Sequence, residues 1–115
     1  MGMWIMVAGP YSAGRADAVG RARNLRAMNE AALTVFERGH VPIIGVNLAL
    51  PVIECAGEAR YDDMMMPLSL ALAERCDAVL RIGGPSAGAD SEVARFVAAG
   101  KPVFRSVDQI ARNQE

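Results

Sequence analysis

The residues best suited to chemistry fall in two glycine-rich stretches. The first reads Gly9-Pro10-Tyr11-Ser12-Ala13-Gly14-Arg15. Its small residues let the backbone approach a ligand, Tyr11 and Ser12 bring hydroxyls, and Arg15 brings a planar cationic fork. A plain strand-to-helix turn would have the same composition. The second reads Gly83-Gly84-Pro85-Ser86-Ala87-Gly88-Ala89-Asp90-Ser91-Glu92. Glu92 is expected in the first turn of a helix, where free N–H groups and the helix dipole favour an ionised carboxylate. A fixed carboxylate at the rim of a cleft is what attack on a sugar carbon requires. Acids also occur in first turns simply because they stabilise them. Asp62 and Asp63, opening another helix, carry the same ambiguity. Asp77 is placed either to hold a loop backbone or to sit at a solvated strand end. His40, the single histidine, has no second histidine or acid at ligand spacing, so no metal site or histidine-based triad is predicted.

Alternating short apolar runs and helical periods must position these loops. Trp4–Ala8 (WIMVA) reads as a buried strand stopped by Gly9-Pro10. From Asp17 to Arg38, the apolar residues Val19, Ala22, Leu25, Met28, Ala32, Val35 and Phe36 recur every three or four positions, an amphipathic helix. Val41 to Val46 reads as a second strand, followed by an irregular stretch containing Asn47, Pro51 and Gly57. A helix is expected from Tyr61 to Arg75, with the Met64-Met65-Met66 run filling core or a subunit contact. A third strand runs from Asp77 to Ile82, a helix from Asp90 to Ala99, and a fourth strand from Val103 to Arg105, with a short helix after Val107. Alternation of this kind implies right-handed crossovers and a parallel sheet with helices on both faces. Ligands of such sheets sit beyond the carboxyl ends of the strands, which singles out the two glycine-rich loops.

Composition narrows the field. With 115 residues the chain is one domain, and 52% hydrophobic against 22% charged residues excludes a disordered chain. A net charge of −1 gives no footprint for a nucleic-acid polymer. The longest apolar stretch, Val41 to Ile53, is interrupted by Pro42, Gly45, Asn47 and Pro51, so no membrane span is expected. The start lacks a basic leader, and Cys55 and Cys76 have no metal-ligand spacing. A cytoplasmic protein with reduced thiols is therefore expected. The first loop lacks both the P-loop ending and the GxGxxG dinucleotide fingerprint.

Four stretches together resemble the nucleoside 2-deoxyribosyltransferase-like superfamily, which includes 2'-deoxynucleoside 5'-phosphate N-hydrolases. They are VAGPYSAGR (Val7 to Arg15), RGHVPI (Arg38 to Ile43), ERCDAVLRI (Glu74 to Ile82) and SAGADSEVARFVAAGKPVF (Ser86 to Phe104). The resemblance spans nearly the whole chain, and S-x-G-x-x-x-E followed by A-x-G-K-P-V is its most specific part. It implies a flavodoxin-like three-layer sandwich with a four- to five-stranded parallel sheet. It also implies cleavage of an N-glycosidic bond by double displacement, with no cofactor or metal, on a nucleoside or nucleoside 5'-monophosphate. Glu92 takes the nucleophile position, with Tyr11 beside the sugar. Ser86 stands where the transferases carry an aspartate and the monophosphate hydrolases a phosphate-contacting serine, which leans toward a phosphorylated substrate or toward hydrolysis. Gly9, Gly88 and Ser91 would give loop contacts, Ser12 and Arg15 phosphate contacts, and a homodimer or larger homo-oligomer would complete the site. One position departs from the pattern. Related sequences often carry an aspartate, the acid assisting base departure, where this chain has Ser69. Asp62, seven residues earlier and about 10 Å away along the helix, is the substitute to be tested. A non-catalytic nucleotide or nucleotide-sugar binding module is the alternative that Ser69 favours.

Overall fold

A computed structural model describes residues 2–114. Strand β1 (Trp4–Ala8) is followed by helix α1 (Ala18–Glu37), strand β2 (Val41–Ile43), helices α2 (Gly45–Ala56) and α3 (Tyr61–Arg75), strand β3 (Ala78–Arg81), helix α4 (Ala87–Ala98) and strand β4 (Val103–Phe104). The sheet is parallel throughout, in the order β2-β1-β3-β4. This is a flavodoxin-like order with four strands. Pro42 is tolerated because β2 is an edge strand, where a missing N–H breaks no central ladder.

Alternation along the central strands divides the core in two. Ile5, Val7, Ala78 and Leu80 point to the side covered by Met28 and Val35 of α1. Met6, Ala8 and Val79 point to the other, where Ala73 of α3 and Val93 and Phe96 of α4 cover them. Asp77 keeps β1 and β3 together at their start: its carboxylate accepts the Trp4 N–H at 2.8 Å, and its own N–H donates to the Trp4 carbonyl at 2.8 Å. The tail after a short 3₁₀ turn (Val107–Gln109) is tied to the end of α1. Arg38 Nη1 donates to the Ile110 carbonyl at 2.8 Å, the Asn113 N–H donates to the Arg38 carbonyl at 2.8 Å, and Ile110 is fully buried beneath α1.

The fold departs from the sequence expectation in three places. The stretch after β2 is not irregular: β2 ends at Ile43 and α2 begins at Gly45. Pro51 removes one helical hydrogen bond, at a cost of roughly 3 kcal/mol in a helix interior. Burial of Ala49 and Ile53 against Met65 of α3 offsets it. The last helix begins at Ala87, three residues before the expected start, because Ser86 caps it by accepting the Ala89 N–H at 3.1 Å. On α1, Val19 and Phe36 fit the apolar period yet are 66% and 56% exposed. The stripe that packs is narrower, centred on Met28 and Val35.

Candidate active site

In the sheet order β2-β1-β3-β4 the chain leaves β1 toward one edge and β3 toward the other, so a crevice opens beyond their carboxyl ends. A cavity of about 260 Å³ occupies that crevice. Gly9, Tyr11 and Ser12 come to it from the loop after β1. Val46 comes from α2, Tyr61, Met65, Met66 and Ser69 from α3, and Ser86, Gly88 and Glu92 from the start of α4. Gly9 lets the loop pass close to the end of β3: a Cβ there would lie 3.2 Å from the Ile82 carbonyl oxygen and 3.1 Å from the Ile82 side chain, tighter than ordinary contact. The loop is held from α1, where Asn24 Nδ2 donates to the Tyr11 carbonyl at 2.8 Å and Arg21 Nη1 to the Ala16 carbonyl at 2.8 Å.

Among the described residues Glu92 is the one carboxylate on the cavity wall, and it is only 8% exposed. Since α4 starts at Ala87, Glu92 lies in the second turn, beyond the free N–H groups expected to stabilise it. Its partner is instead Ser69 of α3, whose Oγ donates to Oε2 at 2.9 Å. Burial pushes the Glu92 carboxyl up, the Ser69 hydrogen bond and the charge of Arg81 pull it only part of the way back, and the net result is a rise from the ordinary 4.5 to about 7. Arg81 is itself buried and spends its guanidinium elsewhere: on the Ile82 carbonyl, on the Gly84 carbonyl at 2.8 Å, and on the Asp90 carboxylate at 3.3 Å. Among the described residues no cation pairs with Glu92, which is left facing the cavity with one oxygen hydrogen-bonded.

The Ser69–Glu92 pair fits only because the residue beside it has no side chain. A Cβ on Gly45, the first residue of α2, would fall 1.7 Å from Ser69 Oγ and 3.4 Å from Glu92 Oε2. Nothing in the sequence links Gly45, Ser69, Arg81 and Glu92, which meet only through the fold. Gly45 stands in the apolar run Val41 to Val46, which reads locally as a strand.

A second hollow of about 510 Å³ adjoins the first and shares Tyr11, Ser12 and Tyr61 with it. At the boundary the hydroxyls of Ser12 and Tyr61 are 3.3 Å apart. Leu50, Ile53 and Glu54 of α2 line it, together with Glu58, Arg21 and Asp62. Asp62 therefore does not join Glu92 in one cavity. It stands two helical turns before Ser69, on the wall of the neighbouring hollow. Ser91 and Arg15 line neither. Ser91 turns back on its own helix, donating to the Ala87 carbonyl at 3.0 Å, and Arg15 is exposed with a positive φ of 56°. The remaining expected residues, Gly9, Tyr11, Ser12, Ser86, Gly88 and Glu92, do converge. Ser86 Oγ accepts its cap hydrogen bond and keeps its own proton free to donate.

His40 accepts the Met3 N–H on Nδ1 at 3.0 Å, and its Nε2 lies 2.7 Å from the Ala111 carbonyl oxygen, so both ring nitrogens are engaged. Among the described residues no group of three His, Cys, Asp or Glu side chains is arranged to hold a metal ion. No helix among them is long and apolar enough to cross a membrane.

No curated protein matches the chain. A family model described as "Domain of unknown function (DUF1937)" matches residues 3–107, and with that span covered the chain belongs to the DUF1937 family.

Proposed function

We propose that this protein cleaves the N-glycosidic bond of a nucleoside or nucleoside 5'-monophosphate, with Glu92 as the nucleophile and water as the favoured acceptor. The observation that carries the reading is the state of Glu92: buried, unpaired with any cation among the described residues, hydrogen-bonded through one oxygen to Ser69, and facing a cavity at the carboxyl ends of β1 and β3. In the first step a Glu92 oxygen attacks the anomeric carbon and the carbon–nitrogen bond breaks, its electron pair leaving with the base. In the second, water attacks the same carbon, the ester bond returns its electrons to the carboxylate, and the water proton passes to solvent. An anion in a poorly solvated pocket stabilises the oxocarbenium-like charge of both transition states. The hydroxyls of Tyr11 and Ser86 are placed to bind the sugar or its 5' substituent.

Because the nucleophile must be ionised and its carboxyl is raised to about 7, the rate is expected to climb with pH through neutrality and level off above it. Purified protein is incubated with a panel of nucleosides and monophosphates between pH 5 and 9, and free base is followed by chromatography. Base release abolished by Glu92→Ala supports the assignment. Equal release by wild type and variant refutes it.

One observation favours a second reading, a nucleotide-binding module without turnover: among the described residues no other carboxylate lines the Glu92 cavity, and retaining glycosidases use two at about 5–5.5 Å. Calorimetric binding of a nucleotide with no release of base from any substrate would select it.

A further inference from the structure

The reaction proposed above asks for a proton at the leaving base, and among the described residues the cavity wall holds no acid to give one. Glu92 is the only carboxylate among them, and Ser69, Ser86, Tyr11 and Tyr61 are hydroxyls, poor proton donors at neutral pH. A neutral nucleobase leaving without a proton departs as an anion, an unfavourable leaving group. A base already carrying a positive charge departs as a neutral molecule.

The adjoining hollow has the complementary charge. Glu54, Glu58 and Asp62 line it against the single guanidinium of Arg21, which already donates to the Ala16 carbonyl. Tyr11 and Tyr61 stand at the junction of the two hollows, and aromatic faces attract organic cations. At about 510 Å³ the space suits a heteroaromatic ring. A sugar against Glu92 would extend its base past the tyrosines into this acidic compartment.

Resting on the glycosidase reading, we propose that the preferred substrates are nucleosides whose base is cationic in the ground state, such as N-alkylated purines. In the first step Glu92 bonds to the anomeric carbon, and the electron pair of the broken carbon–nitrogen bond quenches the ring's positive charge. The base leaves neutral and no proton donor is used. Water then hydrolyses the ester, and one proton is released to solvent per turnover.

The test compares 7-methylguanosine with guanosine, and their 2'-deoxy counterparts, at pH 6.5, where the methylated base is largely cationic. kcat/KM is expected to be at least a hundredfold higher on the methylated member. To separate recognition from the lability of the substrate itself, Glu54→Gln/Glu58→Gln, two exposed positions, is assayed on both. The double variant is expected to lower kcat/KM on 7-methylguanosine about tenfold more than on guanosine. Glu92-dependent release at equal rates from both nucleosides, or a double variant that affects both alike, overturns the cationic-base assignment and leaves the nucleophile standing. No release from any nucleoside, nor from any 5'-monophosphate of the panel used for the proposed function, overturns both.

Discussion

Replacing Glu92 by glutamine tests the electrostatics of the site without any knowledge of substrate. The folded carboxyl titrates at about 7 and the unfolded one at 4.5. Below pH 4.5 both states hold the proton, and Glu92 costs the fold nothing. Between 4.5 and 7 the unfolded chain releases its proton while the folded chain retains it, so stability falls as pH rises. Above 7 the loss is complete, and at 1.36 kcal/mol per pKa unit it amounts to about 3 kcal/mol. Glutamine has the shape of the protonated acid, still accepts from Ser69, and does not titrate. Glu92→Gln should therefore match wild type near pH 4 and exceed it at pH 8.5 by about 3 kcal/mol, which for a domain of this size is about 12 °C in Tm. Thermal unfolding of both proteins across that range, followed by circular dichroism, measures the difference directly. An offset in Tm that does not change with pH, or a variant less stable than wild type at pH 8.5, would refute the claim that a poorly solvated charge is held at this position.

Gly45→Ala should destabilise the protein by about 1–3 kcal/mol in denaturant unfolding, the usual range for overpacking, because its Cβ would overlap Ser69 Oγ. Combining it with Ser69→Ala should recover part of the loss, whereas simple additivity would mean that the two positions do not collide. Of the two thiols, Cys55 is exposed, while Cys76 is buried and held up at about 11, chiefly by burial and further by Asp77. A disulfide reagent at pH 8 should accordingly titrate one thiol in native protein and two after unfolding; two fast thiols in the native state would contradict the packing of Cys76.

The parts of this structure that could be read from sequence are those whose signal is local. Trp4–Ala8 is an unbroken apolar run, and Tyr61–Arg75 has helical spacing despite Pro67, so both were legible within the bounds the structure gives. Helix α2 was not, because Gly45, Asn47 and Pro51 all favour a loop locally, and only burial against α3 makes the helix the better solution. The site divides in the same way. The two glycine-rich loops and Glu92 were recognisable from their place after strands. The hydrogen bond from Ser69, 23 residues before Glu92, was not, nor was the role of Gly45, since each depends on contacts between separate helices. Asp62 shows the limit of helical arithmetic: its distance from Ser69 along the axis was sound, but which hollow it faces depends on where α2 and the first loop end.

The tail bound to the end of α1 bears on how this protein can be handled. Ile110 lies past the last strand, yet it seals the layer under α1, and four hydrogen bonds, from Arg38 and His40 on one side and Arg112 and Asn113 on the other, hold the strip that carries it. A fragment trimmed at Val107 would keep every strand and helix and still lose its stopper, letting water reach the sheet from below. The smallest autonomous unit therefore extends past the final strand, and an affinity handle at this end belongs after Asn113 with slack enough not to tug on it.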